Sequence, residues 1–491
     1  MPQNNLRAIS IAFFIFGIIV FLFLGGIPAI QTFLASTRDV HVLHGIFASP
    51  SVGFENFRDL FDLDVFPRMF SNSLSLSLLP AILAIVIAIP FAGIVGSMAR
   101  SKVRSAATIA LLLPAFIPDI ILAFLVSVEP DSFRSVMILL NTIRPAAICA
   151  FVGACAAGLY RDKGKSVLHG AVVGVIVGSA ANFVRFLSTN LELHTLFFNP
   201  SVASAAETFD TFSFQRGFIF MQMSTASMVW VFRTVLQMGM AVVVAVIVFL
   251  CVRTRADEST SRDISDSEQN NLAGVIPGVL CALAFVASLF IPVAFGSIFE
   301  SAVLQAVGNS VLVTVFSAVL FGIPLFLFTV WLCTNINKIG ALILMLLLVA
   351  IVNNIIGEFL YYRTLGLFNT HLILIFANAL NLTFVLPIAY LARLKHPDIT
   401  TFGKLMRSLL PYLTAFLGLF TATTWGSSFS QVLYTTRVND WGVSMLLRQI
   451  MTFGQLSTEG LIFWISIPVL VIAAATVVVF TLMDKDVTPA P

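Results

Sequence analysis

Apolar residues along the chain fall into long, continuous runs that short polar stretches separate. A helix needs about 20 apolar residues to cross the hydrocarbon core of a bilayer, whereas the strands of a membrane barrel give short alternating segments. Because the runs are continuous, they predict helical spans. We place about twelve of them, at 8–34, 70–98, 106–128, 136–159, 167–187, 223–252, 272–296, 308–333, 339–360, 372–392, 409–426 and 460–483.

The composition indicates that these helices lie in a lipid bilayer rather than in water. Hydrophobic residues make up 58% of the 491 residues and charged residues only 10%, whereas a soluble domain carries about a quarter charged residues. Such a chain could not cover its surface with polar groups in water, so the lipid bilayer is its expected partner. The net charge of +3 is too small to predict nucleic-acid binding. The predicted fold class is an all-α polytopic membrane helical bundle.

Basic residues indicate how the predicted bundle is oriented. All seven lysines fall on one side of the twelve-span arrangement. Loops that carry an excess of Lys and Arg remain in the cytoplasm. We therefore expect both termini to be cytoplasmic, and we interpret the first run as a retained helix.

A polar stretch divides the chain into two parts of similar length. Residues 253–271 are rich in Ser, Asp and Glu and lack apolar periodicity, as a cytoplasmic linker does. The first half (1–252) and the second half (272–491) each receive six spans, which predicts two parallel six-helix repeats. The second span opens with Asn72-Ser73 and the eighth with Asn309-Ser310. The alternative is that these pairs are two unrelated helix N-caps, for which Asn and Ser are ordinary residues.

Several short motifs resemble a known family of transport proteins. In the first half they are residues 45–61 (GIFASPSVGFENFRDLF), Asn72-Ser73 and 112–118 (LLPAFIP); in the second half they are 365–370 (LGLFNT) and 425–429 (WGSSF). Their order resembles that of binding-protein-dependent ABC-transporter permeases, and the carbohydrate and oligosaccharide branch in particular. The resemblance covers most of both halves, although each motif alone is weakly specific.

The resemblance implies an importer in the bacterial cytoplasmic (inner) membrane. Two permease subunits would be fused in one chain, and the solute would pass between the halves by alternating access. The implied partners are an ABC ATPase dimer and an extracytoplasmic solute-binding protein. ATP hydrolysis would take place on a separate subunit, because the chain has no GxxxxGK[ST] loop. We expect no enzyme activity, cofactor or metal site in the chain itself.

The chain departs from this family in the loops that contact the ATPase. Family members carry an E-A-A-x-x-x-G coupling loop between the fourth and fifth spans of each half, and both loops of this chain lack it. The residues that remain as candidates for this contact are Arg161, Asp162, Lys163, Lys165, Lys395, Asp398, Lys404 and Arg407. Either the ATPase binds through shortened contacts, or the chain is an uncoupled membrane scaffold or receptor for an extracytoplasmic binding protein or another membrane partner.

Polar residues inside apolar runs are candidates for the solute pathway. Charges in a bilayer are costly and need a partner or a polar cavity, and a sugar-like solute needs neutral hydrogen-bonding groups and an aromatic face. The candidates are Asp119, Asn182, Arg185, Asn353, Asn354, Glu358, Asn378, Asn381, Thr424 and Trp425. The alternative is structural, with interhelical hydrogen bonds for the amides and interfacial positions or arginine partners for Asp119 and Glu358. A twelve-span secondary carrier fits poorly, since residues 96–102 lack its G-x-x-x-D-R-x-G-R-R turn.

Overall fold

The computed structural model describes most of the chain and consists of helices. The described residues are 12, 15–40, 45–98, 101–126, 128–253, 270–290, 301–335, 338–352, 354–380, 387, 402–453 and 459–483. Within them the only β-type pairing is an isolated bridge between Arg38 and Ser51. The predicted all-α fold class is therefore confirmed for the described residues.

The helices fall in the same order as the predicted spans. Those of the first half are α1 (Ile15–Ser36), α2 (Glu55–Phe61), α3 (Phe66–Gly96), α4 (Ser101–Leu112), α5 (Asp119–Leu125), α6 (Phe133–Asp162), α7 (Val167–Val184), α8 (Leu191–Phe197), α9 (Phe209–Phe214) and α10 (Met223–Arg253). Those of the second half are α11 (Asn270–Phe290), α12 (Ser301–Ser317), α13 (Ile323–Asn335), α14 (Lys338–Ile351), α15 (Ile355–Thr364), α16 (His371–Ala377), α17 (Phe402–Gly426), α18 (Phe429–Tyr434), α19 (Val443–Phe453) and α20 (Glu459–Met483).

Length and composition allow fewer membrane spans than the sequence predicts. Of the described residues, seven helices are long and apolar enough to cross a bilayer, and nine segments qualify if two bent pairs are each counted as one span. Twelve spans and two parallel repeats remain predictions. The run that contains Arg144-Pro145 forms one continuous helix, α6.

The two bent pairs occur where single straight spans were predicted. The chain turns by 74° between residues 102–116 and α5, and by 71° between residues 342–351 and α15. At the first bend Ile117 is extended, because the ring of Pro118 disfavours a helical conformation at the preceding residue. At the second bend the Asn354 side chain accepts a 2.9 Å hydrogen bond from the Gly357 N–H and so begins α15.

Small residues let α6 and α7 pack closely along the bundle. A Cβ atom placed on Gly174 would lie 2.7 Å from the Gly153 Cα and 2.8 Å from the Val152 carbonyl oxygen. Close backbone approach of this kind is a common basis of helix association in membranes. It fixes α7 against α6 and holds the first-half wall of the cavity described below.

The two halves interlock. Helix α1 packs against α10 of its own half and against α15 of the second half, while α11 packs against α4 of the first half. The Asn354 amide donates a 2.7 Å hydrogen bond to the Thr32 hydroxyl, which joins α15 to α1. Each half therefore contributes a helix to the packing of the other.

The two Asn-Ser pairs make matching hydrogen bonds. Asn72 donates to the carbonyl oxygens of Ser204 and Glu207, both at 2.9 Å, and the Ser73 hydroxyl accepts a 2.8 Å bond from the Phe209 N–H at the start of α9. The N-cap alternative is therefore wrong: α3 begins at Phe66 and α12 at Ser301, so both pairs lie inside their helices, and Asn72-Ser73 anchors a distant segment instead.

The second pair repeats this pattern in the other half. Asn309 donates to the carbonyl oxygens of Asn439 (2.7 Å) and Trp441 (3.0 Å), and Ser310 accepts a 3.0 Å bond from the Val443 N–H at the start of α19. In both halves the Asn and Ser side chains thus hold the beginning of the helix that precedes the last long helix.

Candidate functional site

A cavity of about 400 Å³ lies between helices of both halves. The first half contributes residues of α3, α5, α6, α7, α8 and α9, and the second half contributes residues of α15, α16, α17 and α18. The wall combines apolar side chains with hydroxyls, amides, four carboxyl groups and two guanidinium groups. The ionisable residues in the wall are Asp119, Arg144, Arg185, Glu192, Asp210 and Glu358.

On the first-half side, Asp119 is held by an ion pair. It begins α5 directly after the bend, and the Arg144 guanidinium lies 3.1 Å from its carboxylate. Asn190 donates a 3.0 Å hydrogen bond to the same carboxylate. Arg144 also donates to the carbonyl oxygens of Ala115 (3.3 Å) and Ile117 (3.2 Å), which the bend leaves without helical partners. This pair therefore supports the bend as well as the cavity wall.

Asp210 is neutralised in a similar way. It lies in the first turn of α9, forms an ion pair with Arg233 of α10, and accepts a 2.7 Å hydrogen bond from the Thr189 N–H. Arg185 and Asn182 line the same side of the cavity, at the end of α7. Two of the three first-half carboxyl groups in the wall thus have an arginine partner.

Glu192 bridges the two halves at the edge of the cavity. Its carboxylate accepts hydrogen bonds from the Ser428 N–H (2.6 Å) and hydroxyl (2.9 Å) and from the Ser427 hydroxyl (3.3 Å). Burial, and next the charge of Asp119, raise the pKa of the Glu192 carboxyl, whereas the bonds from Ser428 lower it in part. Ser428 is the N-cap residue of α18, so Glu192 holds the start of a second-half helix.

Glu358 forms the second-half side of the cavity together with Tyr434 and Asn378. It lies in the first turn of α15, just after the second bend. The Tyr434 hydroxyl donates a long, 3.4 Å hydrogen bond to its carboxylate. Asn378 also lines the cavity, and its amide donates a 2.8 Å hydrogen bond to the Leu374 carbonyl. This wall is therefore rich in neutral hydrogen-bonding groups.

Six of the predicted pathway residues come together in this wall. They are Asp119, Asn182, Arg185, Glu358, Asn378 and Thr424. Two others have structural contacts: Asn354 bonds to Thr32 and caps α15, and the Trp425 ring N–H donates a 3.2 Å bond to the Trp464 carbonyl. Asn353 and Asn381 lie outside the described residues. A role in solute binding remains a prediction for all ten.

The coupling-loop candidates of the first half lie at a tight turn. Arg161 and Asp162 end α6, and Ser166 already caps α7. Asp162 forms a 2.8 Å ion pair with Arg104 of α4, and Arg161 donates to the Ser97 carbonyl. The turn that contains Lys163 and Lys165 leaves no room for a separate coupling helix.

The second-half candidates can be placed only in part. Lys404 and Arg407 belong to the first turns of α17, while Lys395 and Asp398 lie outside the described residues. The contact of either set with an ATPase remains a prediction.

Sequence reasoning missed Glu192, Asp210 and Tyr434 as cavity residues. All three lie in segments that the hydropathy pattern assigns to loops between spans, and the structure folds these segments back against the bundle. Asn141 was also missed, although it stands one turn before Arg144 on α6 and the i, i+3 spacing places both on one helix face. That spacing was the one available signal.

Comparisons with known proteins are sparse. No family model matches the chain, and no curated protein matches it. Among solved structures, the chain is similar to a bacterial alginate ABC transporter in complex with an alginate pentasaccharide-bound periplasmic protein. The identity is 22%, the match covers 50% of this chain and 93% of that chain, and the TM-score is 0.37. A likeness at this score is too distant to establish a shared fold or function.

Proposed function

We propose that the chain is the transmembrane permease of a solute importer and that the solute crosses between its two halves. The observation that carries the proposal is the cavity of about 400 Å³ inside an apolar helical bundle, with a polar wall drawn from both halves. Polar and ionisable groups are expensive inside a bilayer, and they commonly mark a pathway. Binding sites between repeats are a recurrent arrangement in transporters.

Matching contacts support a duplicated architecture. Asn72 and Asn309 stand 237 positions apart and each binds two loop carbonyls. Arg134 donates a 2.7 Å bond to the Asn72 amide oxygen, and His371, also 237 positions further on, lies 3.1 Å from the Asn309 amide oxygen. Arg134 and His371, and also Ser204 and Trp441, keep the same spacing of 237 positions, whereas Glu207 and Asn439 do not. We therefore retain two parallel six-span repeats, with residues 253–271 as the linker.

The ABC-type identity rests on the motif resemblance given above. On this basis the importer would be completed by an ABC ATPase dimer and an extracytoplasmic solute-binding protein, and the chain would lie in a bacterial cytoplasmic membrane. A carbohydrate or oligosaccharide is the solute class that best suits the wall, because Asn182, Asn378, Thr424 and the hydroxyls of α18 can bond to sugar hydroxyls. ATP would be hydrolysed on the separate ATPase subunits.

One observation favours a second function, that of a scaffold or receptor without ATP-driven transport. The turn after α6 is short, and its charged residues Arg161 and Asp162 are engaged with Ser97 and Arg104. A helix that docks on an ATPase and moves with it needs side chains that are available to the partner. If the second-half loop is equally engaged, coupling is lost.

Co-purification separates the two functions. The full chain is isolated from its native membrane in mild detergent, and the proteins bound to it are identified and counted. The permease predicts two ATPase copies for each chain, and ATP hydrolysis that an added solute stimulates. An extracytoplasmic binding protein without any ATPase would support the scaffold, and neither partner would reject both functions. The Arg104→Gln variant removes the ion-pair partner of Asp162. If this ion pair weakens ATPase binding, more ATPase should co-purify with the variant than with the wild type.

A further inference from the structure

We propose that Asn141 of the first half and Asn378 of the second half form an amide pair that binds the hydroxyl groups of the solute. This inference rests on the proposed permease function and assigns binding residues within the same cavity. Asn141 belongs to α6 and Asn378 directly follows α16, and both residues line the cavity. Each half thus contributes one member of the amide pair.

The two members of the amide pair occupy equivalent positions in the proposed repeat. They stand 237 positions apart, as Asn72 and Asn309 do. Arg134 and His371 keep the same spacing, and each contacts the Asn of its own half. Helix α6 packs against α3, and α16 packs against α12. Each amide lies about two helical turns beyond the Arg or His, on the same helix face, so equivalent helices bring both amides to the cavity.

The Asn141 side chain has an unused hydrogen-bond donor. Its amide nitrogen is buried and has no hydrogen-bond partner in the part of the chain that the structure describes. A buried donor without a partner is unfavourable, although the nitrogen could donate two hydrogen bonds. Rotation of the amide toward the cavity would cost this nitrogen no hydrogen bond and would let it donate to a solute oxygen.

The Asn378 side chain has an unused acceptor instead. Its nitrogen donates a 2.8 Å hydrogen bond to the Leu374 carbonyl, while no described residue donates to its amide oxygen. A hydroxyl group both donates and accepts hydrogen bonds. It can therefore satisfy the Asn141 nitrogen as well as the Asn378 oxygen, whereas a solute with acceptors alone would satisfy only the first. A polyhydroxylated solute is the class that suits both members of the amide pair.

Other polar side chains in the wall are already engaged. The Asn190 amide donates a 3.0 Å hydrogen bond to the Asp119 carboxylate. The Thr423 hydroxyl, which also lines the cavity, donates to the Leu419 carbonyl at 2.9 Å within its own helix. A solute would have to compete with these bonds, but the Asn141 nitrogen has no bond to lose. Thr423 is therefore a matched control, because its polar group lies in the same wall but is occupied.

Trisaccharide binding to the full chain in lipid nanodiscs tests the amide pair. Isothermal titration calorimetry with maltotriose, cellotriose and mannotriose compares the wild type with Asn141→Leu, Asn378→Leu and Thr423→Val. Loss of the hydrogen bonds from one side chain should weaken binding by about tenfold. We expect at least one trisaccharide to bind the wild type, both variants of the pair to bind it about tenfold more weakly, and Thr423→Val to bind it as the wild type does.

The melting temperature of the solute-free protein separates binding from folding. Asn141→Leu should not lower this temperature, because the amide nitrogen has no hydrogen bond to lose. A lowered melting temperature would give Asn141 a structural role and reject the proposal. Unchanged trisaccharide affinity in Asn141→Leu or Asn378→Leu would also reject it, as would equal weakening by Thr423→Val, which would indicate a general disturbance of the wall.

The amide pair and the permease function fail in different ways. If none of the three trisaccharides binds the wild type although an ATPase co-purifies with it, the amide pair is wrong and the permease function stands. If a trisaccharide binds with the expected dependence on both amides but neither an ATPase nor a binding protein co-purifies, the amide pair stands and the permease function is wrong.

Discussion

The Ser428 N–H donates a 2.6 Å hydrogen bond to the Glu192 carboxylate, so that a loop helix of the first half holds the N-terminus of a short helix in the second half. Because α18 ends at Tyr434, which contacts Glu358, the same six-residue helix touches an acidic residue at each end. A displacement of either half should therefore move α18, which forms part of the cavity wall.

This contact predicts a pH effect on stability. Burial raises the pKa of the Glu192 carboxyl, so its contribution is present below the ordinary glutamate pKa of about 4.3 and is lost as the pH rises through the raised value in the folded protein. Thermal unfolding between pH 4 and 8 should show Glu192→Gln gaining stability relative to the wild type as the pH increases.

Two charged residues near Glu192 also affect its pKa, and both stay in place in the Glu192→Gln variant. Asp119 raises the pKa of Glu192 and Arg448 lowers it, and neither is altered in the variant. Glu129→Gln, at an exposed position, should follow the wild type at every pH. A Glu192→Gln variant that loses stability relative to the wild type as the pH increases would contradict the assignment.

The Asn anchors predict matched losses of stability in the two halves. Asn72→Ala leaves the Ser204 and Glu207 carbonyls without their side-chain donor, and Asn309→Ala does the same to Asn439 and Trp441. A part-buried group left without its partner, such as the Glu207 or Trp441 carbonyl, costs about 1–3 kcal/mol, whereas water can replace the donor at the exposed Asn439 carbonyl. Both variants should lower the melting temperature in detergent, whereas Ser75→Ala, which removes a bond within its own helix, should not. Loss in one half alone would argue against equivalent repeats.

The sequence predicts the Asn-Ser pairs but not the residues that they bind. The Asn-Ser pairs could be recognised from position alone, because polar residues at the start of apolar runs are conspicuous. Their partners, such as Phe209 and Val443, could not be recognised, because a side chain that binds a distant backbone group leaves no periodic signal.

The bends were missed for a related reason. Hydropathy averages over a window, so residues 106–128 and 339–360 were each predicted as one span although the chain turns sharply within both. Pro118 was a visible cause of the first bend. At the cavity, residues within apolar runs were found, whereas Glu192 and Tyr434 were not, since short loop helices that fold back into the bundle resemble ordinary loops in composition.

The close packing of α6 and α7 predicts sensitivity to a single methyl group. A Cβ on Gly174 would lie 2.7 Å from Gly153, whereas a Cβ on Gly93 of α3 meets nothing within 4 Å. Gly174→Ala should therefore destabilise the protein by about 1–3 kcal/mol, and Gly93→Ala should be neutral or slightly stabilising because Ala favours helices. Thermal unfolding in the same detergent compares them. Equal effects would show that this interface is not tightly packed.

The ion pair at the first bend predicts coupling between its members. Asp119→Asn leaves Arg144 without its charge partner, and breaking a largely buried pair in this way costs about 3–5 kcal/mol. Arg144→Gln should be at least as harmful, since it also removes the donors to Ala115 and Ile117. The double variant should lose less stability than the sum of the two single variants. Simple additivity would show that there is no coupling energy between the two side chains.

The most direct test of a solute pathway between the halves is water access to the cavity. Single cysteines are placed at Asn182 in the first-half wall, at Asn378 in the second-half wall and at Val86, which is 62% exposed on α3, in a background without the five native cysteines. The protein is reconstituted in liposomes and exposed to a membrane-impermeant maleimide. Cysteines at 182 and 378 should react, and the one at 86, which faces lipid, should not. Cysteines at 182 and 378 that both fail to react would contradict a solute pathway between the halves.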